Sequence, residues 1–340
     1  MTPRRLLALL IAINVVLLGA GSLLVAPRVD RAGKGIRVGL VFDLGGKNDR
    51  SFNEAAWRGL ERARTELGVS VQYIEPSEGS DRESALRMFA SRGVDLVIGV
   101  GFIFGPDLER LAAQFPNVKF AGVDYVPSPG IKPLPNLLGL QFHEHEGSFL
   151  VGAIAGSITA THKVGFVGGM TIPLIRKFEA GYAAGVKHVC PACVVLGVYA
   201  GSEPKAFADP TRGQELAASL YDNGADVIFH AAGKTGDGVF AAARVRRQRA
   251  IGVDSDQHAI APCCVVTSMI KRVDVAVVDA VRSVIDGSFH GGVRALGLAE
   301  QGVGFVADEH NRHLLPAEVV QRVNRIAADI IAGTIEVPAQ

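Results

Sequence analysis

The loop after the first apolar run carries a dense set of polar side chains. It reads Asp43-Leu-Gly-Gly-Lys-Asn-Asp-Arg-Ser-Phe-Asn-Glu, so that Asn48, Asp49 and Asn53 lie beside the ring of Phe52. Amide and carboxylate groups around an aromatic face suit a planar ligand with polar edges. The loop has neither the G-x-G-x-x-G spacing of dinucleotide-binding turns nor a P-loop pattern, so a phosphate cradle is not indicated. A solvated turn with Phe52 packed on its own domain is the alternative.

Two further clusters of ionisable residues could belong to an enzyme. The segment Gln141-Phe-His-Glu-His-Glu places His143 and His145 two residues apart, whereas a zinc hydrolase helix needs them four apart. Asp254 and Asp256 resemble part of a metal-bound aspartate cluster, but the neighbouring sequence lacks further aspartates. No G-x-S-x-G elbow follows a strand. We therefore predict a protein that is not an enzyme and that needs no metal or cofactor.

Apolar runs alternate with amphipathic stretches along the chain. Short runs rich in valine and isoleucine, bounded by glycine or aspartate, are typical of buried parallel strands. Two sets of such runs predict an α/β fold with two doubly wound parallel sheets of similar size. The predicted strands are Ile36 to Phe42, Val69 to Ile74, Asp95 to Val100, Lys119 to Val123, Leu137 to Phe142, Val164 to Val167, Val194 to Tyr199, Asp226 to His230, Ala250 to Val253 and Val265 to Met269.

Helix start signals follow several of these strands. Ser51 with Glu54 and Ser80 with Glu83 have the spacing of a capping box, and Asp209 precedes a proline suited to a first helical turn. In parallel sheets the helix N-termini gather at the carboxyl edge of the strands, where ligands bind. The polar loop around Phe52 is therefore predicted at a ligand-binding edge.

Two lobes joined by a hinge follow from this organisation. We expect the first lobe to comprise residues 36–143 with a returning segment, 265–289. The second lobe should comprise 144–264 and 290–340. A ligand between such lobes is typically enclosed by a hinge motion.

The amino terminus predicts contact with a membrane. Two arginines precede Leu6 to Pro27, a segment without charged residues that could either span a bilayer or serve as a secretory signal. Residues 1–28 are thus a signal peptide or an anchor, and the basic start predicts that the remainder lies in the periplasm or another extracytoplasmic space. The near balance of 35 basic and 34 acidic residues argues against a nucleic-acid partner.

The four cysteines fit an oxidising compartment. Cys190 and Cys193 are separated by two residues, and a structural disulfide between them is the favoured interpretation. No histidine or second C-x-x-C motif has the usual spacing for a zinc site. Cys263 and Cys264 are adjacent, and their state stays open.

Seven segments in a fixed order resemble the basic membrane protein family of substrate-binding proteins, whose best understood members are purine nucleoside receptors. They are GGKNDRSFNEAAWRGL, FAGVD, EGSFLVGAIAG, KVGFVGGM, AGKTGDGVF, GVDSDQ and TSMIKRVD. The resemblance runs from Ile36 to Ile285. It implies a periplasmic-binding-protein type I fold and delivery of a small ligand to the permease and ATPase subunits of an ABC importer.

The resemblance also implies a set of ligand contacts. A purine base would stack between Phe52 and Phe240, and Asp124, Asp254 and Lys271 would hold its ribose. The residues implied near the base are Asn48, Asp49 and Asn53. Riboflavin or a sugar as the ligand, a membrane-tethered sensor domain, and a less favoured nucleoside hydrolase are the alternatives.

Overall fold

A computed structural model of the 340-residue chain describes residues 35–76 and 81–340. The apolar segment Leu6 to Pro27 and the capping residue Ser80 lie outside these ranges. Among the helices within them, not one combines the length and the apolar character needed to cross a bilayer.

Two six-stranded sheets form the framework of the described residues, with the strands numbered along the chain. The first sheet contains β1 (Arg37–Val41), β2 (Ser70–Ile74), β3 (Leu96–Val100), β4 (Lys119–Val123), β5 (Leu137–Phe142) and β11 (Gly292–Leu296). The second contains β6 (Lys163–Met170), β7 (Val194–Gly201), β8 (Val227–Ala231), β9 (Arg249–Asp254), β10 (Val265–Lys271) and β12 (Val303–Phe305). The α/β fold with two parallel sheets is thus confirmed.

The two sheets share one topology. Their orders are β2-β1-β3-β4-β5-β11 and β7-β6-β8-β9-β10-β12, and the pairing is parallel except between β10 and β12. Each sheet is therefore doubly wound, with a reversal of strand order beside its first strand. All ten predicted strands are present, whereas β11 and β12 were not predicted. β11 is an exposed edge strand and β12 has three residues, so neither carries a long apolar run.

Helices cover the faces of both sheets. They are α1 (Phe52–Leu67), α2 (Arg82–Ser91), α3 (Gly105–Gln114), α4 (Glu144–Ile158), α5 (Pro173–Val189), α6 (Pro210–Asp222), α7 (Gly236–Arg246), α8 (Val273–Ile285) and α9 (Ala317–Ile331). The predicted start of α6 is confirmed, because the Asp209 side chain accepts a hydrogen bond from the Arg212 amide at 3.0 Å. That bond satisfies an amide that the first helical turn leaves without a partner.

The helix α8 belongs to the first lobe, where it packs against α1. A Cβ atom at Gly59 would lie 2.5 Å from the Asp274 carbonyl oxygen and 2.9 Å from Cβ of Val277. Only glycine therefore lets these two helix backbones approach so closely.

The chain passes between the sheets three times, and two of the predicted lobe boundaries are wrong. β10 pairs with β9 in the second sheet, and β11 pairs with β5 in the first. The returning segment of the first lobe is thus 273–296 rather than 265–289. The apolar run of β10 is compatible with either sheet, because hydrophobic periodicity predicts a buried strand without its neighbours.

The three passages lie side by side. The His143 amide donates to the Leu296 carbonyl at 3.0 Å, and the Arg272 amide donates to the Gly302 carbonyl at 2.8 Å. These bonds tie the segments that follow β5, β10 and β11 into one connection between the lobes.

Candidate functional site

A cleft lies between the carboxyl edges of the two sheets, with about 590 Å³ of empty space, part of it open to solvent. The charged and amide side chains that line it are Asp43, Asp49, Asn53, Asp124, Asp254 and Lys271. The aromatic lining consists of Phe52, Phe102, Phe178 and Phe207.

Aspartates at strand ends supply much of the polar lining. Asp124 follows β4 and Asp254 ends β9, which are the fourth strands of their respective sheets along the chain. Both adopt the left-handed backbone conformation, with φ of 60° and 64°. Aspartate tolerates this conformation better than most residues, and such backbones often occur at functional sites. The equivalent edges of the two lobes thus present matching carboxylates to one cleft.

Lys271 at the end of β10 is the centre of a buried charge cluster. Its Nζ atom lies 2.7 Å from Oδ1 and 2.8 Å from Oδ2 of Asp124, and 3.1 Å from Oε1 of Glu144. The Lys271 side chain is only 2% exposed. Burial alone would lower its pKa, but Asp124, Glu144 and Asp254 together raise the pKa of Lys271 above its ordinary value. The ammonium therefore stays charged and links the two lobes.

Burial shifts the titration of the cleft carboxylates upward. It raises the pKa of Asp43 to about 7, although the Leu44 amide opposes the shift by donating to Oδ1 at 2.6 Å. It also raises the pKa of Asp254 to about 6, against the attraction of Lys271 and a hydrogen bond from Ser51. The charged form loses hydration in the cleft, which is why protonation is favoured. A ligand that donates hydrogen bonds to these carboxylates therefore stabilises their charged forms.

Asp49 holds the loop that precedes α1. Its carboxylate accepts hydrogen bonds from the amides of Ser51 at 2.9 Å, Asn53 at 2.9 Å and Glu54 at 3.0 Å. The predicted cap by the Ser51 side chain is wrong, because Asp49 provides the cap and the Ser51 hydroxyl turns to the other lobe. Asn48 is exposed and does not line the cleft.

Asn53 is also occupied by the loop. Its amide nitrogen donates to the Asp49 carboxylate at 3.0 Å, and its oxygen accepts from the Asp43 amide at 3.2 Å. Asp49 and Asn53 thus reach the cleft lining, but their polar atoms mainly fix the shape of the loop around Phe52.

The lobes contact each other directly across the cleft. Ser51 Oγ donates to Asp254 Oδ2 at 2.6 Å, and Arg50 forms an ion pair with Asp237 at 2.6 Å. The Gln257 side chain donates to the Arg50 carbonyl at 3.0 Å. Arg50 and Ser51 belong to the first lobe and their partners to the second, so these contacts hold the lobes together over the cleft.

Phe240 does not line the cleft, so the predicted pairing of Phe52 with Phe240 across one cavity is wrong. It is 0% exposed and packs in the core between the second sheet and its helices. Its ring contacts His230 edge to face at 5.0 Å. The aromatic residue on an amphipathic helix that follows a strand can face either the sheet or the strand ends, and here it faces the sheet.

Phe207 is an aromatic residue of the second lobe that lines the cleft, and it was not predicted from the sequence. It ends a 3-10 turn, Pro204–Phe207, and its ring covers Gly169, where a Cβ atom would lie 2.5 Å from Cδ1 and 2.8 Å from Cζ. The ring meets Phe102 of the first lobe at 6.3 Å with an interplanar angle of 62°. Phe207 lies just before the predicted start of α6, so the helix start signal could have indicated it.

Thr235 fixes the turn that carries Phe207. Its hydroxyl donates to the Ala206 carbonyl at 2.7 Å and accepts from the Asp209 amide at 2.8 Å. Thr235 is completely buried, so both bonds are shielded from water. The ring of Phe207 is therefore presented on a rigid support.

Known proteins resemble this chain in sequence and in fold over most of its length. The chain is 32% identical over 327 residues to the ABC transporter nucleoside-binding protein BmpA of Lactococcus lactis subsp. cremoris, covering 90% of each chain. It is 37% identical over 287 residues to an uncharacterized lipoprotein of Pyrococcus horikoshii, covering 80% of this chain and 69% of the relative. The crystal structure of an ABC transporter solute-binding protein from Aeropyrum pernix K1 superposes with a TM-score of 0.81 at 31% identity, covering 90% of this chain and 94% of the other.

The match to a protein family extends over both lobes. Residues 36–340 match the family described as ABC transporter substrate-binding protein, PnrA-like. The match includes all six strands of each sheet and every residue of the cleft. The resemblance noted in the sequence is thus confirmed, and the chain belongs to this family of substrate-binding proteins.

Proposed function

We propose that this protein captures a purine nucleoside in the cleft between its lobes and delivers it to an ABC importer. The observation that carries the proposal is the combination of aromatic rings from both lobes with aspartates at the strand ends of both. A nucleoside has one flat base and one sugar with vicinal hydroxyls, and the cleft offers a matching surface for each. The nucleoside-binding relative adds support from a homologous chain.

The base is proposed to lie between Phe52 of the first lobe and Phe207 of the second. Both rings line the cleft and both are partly exposed, so each has a face available for stacking. Phe178 also lines the cleft but is 3% exposed, which leaves it little free face. Stacking of a base on an aromatic ring contributes about 1 to 3 kcal/mol.

The ribose is proposed to bind beside Asp124, Asp254 and Lys271. Asp254 accepts one hydrogen bond from Ser51 and, as a carboxylate, retains acceptor capacity for a sugar hydroxyl. Hydrogen bonds to charged groups contribute about 1.5 to 3 kcal/mol each. Because Lys271 already contacts two carboxylates, it orients Asp124 and can also donate to a ribose oxygen.

The charge of the cleft favours a neutral ligand. Four aspartates and one lysine line it within the described ranges, and the lysine is already paired. A phosphate group would meet these carboxylates at close range, and such contacts between like charges cost several kcal/mol. A nucleoside should therefore be bound in preference to the corresponding nucleotide.

Calorimetry with a panel of compounds tests the proposed ligand. Inosine, guanosine and adenosine should release heat with one site per chain, while ribose, riboflavin and inosine monophosphate should bind much more weakly or not at all. Binding of riboflavin or a sugar with no response to any nucleoside would overturn the proposal. Chromatography of the same mixtures for free base would reveal a nucleoside hydrolase.

Truncation of the Phe207 ring is the first prediction for the site. Phe207→Ala should weaken inosine binding about 5- to 150-fold, because one stacking face worth about 1 to 3 kcal/mol is lost. The variant Phe115→Ala, which removes a partly buried ring outside the cleft, is the matched control. Equal affinities of the Phe207 variant and the wild-type protein would exclude this ring as a base platform.

The affinity should also depend on pH. Burial raises the pKa of Asp254 to about 6 and that of Asp43 to about 7 in the unliganded protein, and a ligand hydroxyl that donates to Asp254 favours its charged form. Binding thus releases protons below about pH 6, so affinity should fall by up to about tenfold between about pH 8 and about pH 5. Calorimetry in buffers of different ionisation enthalpy would measure both the affinity and the released protons.

The same groups affect the stability of the unliganded protein in the opposite direction. A carboxyl whose pKa is raised by folding favours the folded state below its unfolded-state value of about 4 and loses that contribution as the pH rises through its folded value. Their share of the unfolding free energy should therefore decrease between about pH 4 and about pH 7.

The variant Asp254→Asn tests the pH dependence of binding. It should reduce the change of affinity with pH, and an unchanged pH dependence would contradict the assignment of Asp254 to the ligand site.

We propose that the protein works in the periplasm or an equivalent extracytoplasmic space. The basic start and the apolar segment before residue 28 support this location, as does the function of the family in ABC import. Mass spectrometry of the mature amino terminus would distinguish a cleaved signal peptide from a retained anchor. A retained segment together with signalling through another receptor would instead support a sensor domain.

A further inference from the structure

A compact group of metal-ligating side chains lies far from the cleft, at the amino edge of the second sheet. His162 immediately precedes β6, and the turn from Cys190 to Cys193 connects α5 to β7. The two cysteines form a disulfide. Nδ1 of His162 lies 3.7 Å from the Sγ atom of each cysteine.

The backbone holds these three residues in place. The Val194 amide donates to the His162 carbonyl at 2.8 Å, and Lys163 pairs with Val194 at the start of the β6–β7 ladder. The Cys193 amide donates to the Cys190 carbonyl at 3.0 Å, which closes the turn. His162 has a left-handed backbone with φ of 58°, an uncommon conformation for a residue other than glycine.

The distances from His162 to the two sulfurs fit tetrahedral zinc geometry. With a Zn–N bond of about 2.1 Å and a Zn–S bond of about 2.3 Å, two such ligands stand about 3.6 Å apart. Both N···S distances in the structure are 3.7 Å. Two zinc-bound sulfurs would stand about 3.8 Å apart, so the sulfurs must separate from the disulfide length of about 2.05 Å. Side-chain rotation of the cysteines after reduction would supply that separation.

We propose that reduction of the Cys190–Cys193 disulfide creates a Zn²⁺ site with His162 as the third protein ligand. A dithiol reductant donates two electrons and two protons, the S–S bond breaks, two thiols form, and the dithiol closes to a cyclic disulfide. Zinc binding then displaces both thiol protons. In the oxidised protein the sulfurs are bonded to each other, so the site exists only in the reduced state.

The surroundings allow an ion to enter and to be neutralised. His162 is exposed and Cys190 is half-buried, so the group is open to solvent on one side. Two thiolates balance the charge of Zn²⁺, and neutral His162 adds none. Lys187 donates to the Pro191 carbonyl at 3.1 Å, so its ammonium lies beside the turn. Within residues 35–76 and 81–340, this cluster offers three donors, which leaves a fourth position for water.

Cobalt titration of the purified full-length chain tests the proposal. Cys263 and Cys264 form a second disulfide, and the double substitution of Cys263→Ser with Cys264→Ser removes it, so that only Cys190 and Cys193 respond to the reductant. The protein is first reduced by a dithiol, and the dithiol is then removed in the absence of oxygen. One equivalent of Co²⁺ should then bind and produce thiolate-to-cobalt charge-transfer absorption. Zn²⁺ should then displace it, and the oxidised protein should show no such absorption.

Two substitutions separate the proposed site from binding by thiols alone. Cys190→Ser should abolish the absorption, and His162→Ala should weaken Co²⁺ binding at least tenfold while the oxidised variant keeps the wild-type thermal unfolding. His162→Gln replaces it if the alanine variant unfolds. Absence of the absorption in the reduced protein, or unchanged affinity without His162, would overturn the proposal.

A second measurement needs no substitution at the other cysteine pair. In the reduced wild-type chain, Zn²⁺ should protect Cys190 and Cys193 from alkylation by iodoacetamide, as mapped by peptide mass spectrometry. Equal alkylation of these two cysteines with and without Zn²⁺ would contradict the site.

Discussion

Lys271→Met should lower the free energy of unfolding by about 3 to 5 kcal/mol, the loss typical of removing one partner of a buried ion pair. The substitution introduces an apolar side chain of similar length and removes the ammonium, which leaves Asp124 and Glu144 facing each other in the protein interior. Asp124 is 7% and Glu144 1% exposed, so water cannot replace the lost ammonium. Urea unfolding followed by circular dichroism would measure the change.

Controls for this prediction use the same change of side chain at another place. Lys132→Met removes an exposed lysine from a loop and should change stability by less than about 0.5 kcal/mol. Adding Asp124→Asn to Lys271→Met removes one unpaired charge and should restore part of the lost stability. If Lys271→Met were as stable as Lys132→Met, the buried cluster would not be held together by its charges.

Phe240→Ala is expected to cost about 3 to 5 kcal/mol of folding free energy, because it empties a large volume inside a packed core. Phe240 contacts the ring of His230 and lies among aliphatic residues of α6, α7 and the second sheet. It does not reach the cleft, so the folded fraction of the variant should bind inosine with nearly the wild-type affinity. Thermal unfolding and calorimetry on the same preparation would measure the two quantities.

The contrast with Phe207 makes this prediction specific. Phe207→Ala should mainly reduce affinity, whereas Phe240→Ala should mainly reduce stability. Phe240→Leu, which keeps more of the buried volume, should lose less stability than the alanine variant. A large loss of affinity at unchanged stability in Phe240→Ala would restore this residue to the ligand site.

The sequence predicts the strands well because each one leaves a short, strongly apolar run. All ten predicted strands occur, and the parallel order requires their carboxyl ends to share an edge. For that reason Asp124, Asp254 and Lys271, each at the end of a strand, reach one cleft in the structure. Position along a strand is a local property that a single sequence reveals, whereas the ligand role of these three residues is implied by the resemblance to the substrate-binding protein family.

Orientation and partnership are not local, and there the sequence predictions fail. Phe240 lies on α7, whose buried face is set by its packing against α6 and the second sheet. Ser51 could cap α1, but Asp49 offers the loop amides a stronger, charged acceptor, which frees the Ser51 hydroxyl for Asp254. β10 could join either sheet, and its choice depends on strands far away in sequence.

The three adjoining passages between the lobes restrict how the molecule can open. Three adjoining chain segments can bend together about one line. A twist or a sideways slide of the lobes would stretch at least one segment and break the hydrogen bonds that the His143 and Arg272 amides donate. We therefore expect opening to be a rotation about a single axis. Glu144 and Lys271 are the chain neighbours of His143 and Arg272 and should move little, whereas the ion pair between Arg50 and Asp237 crosses the cleft and should open.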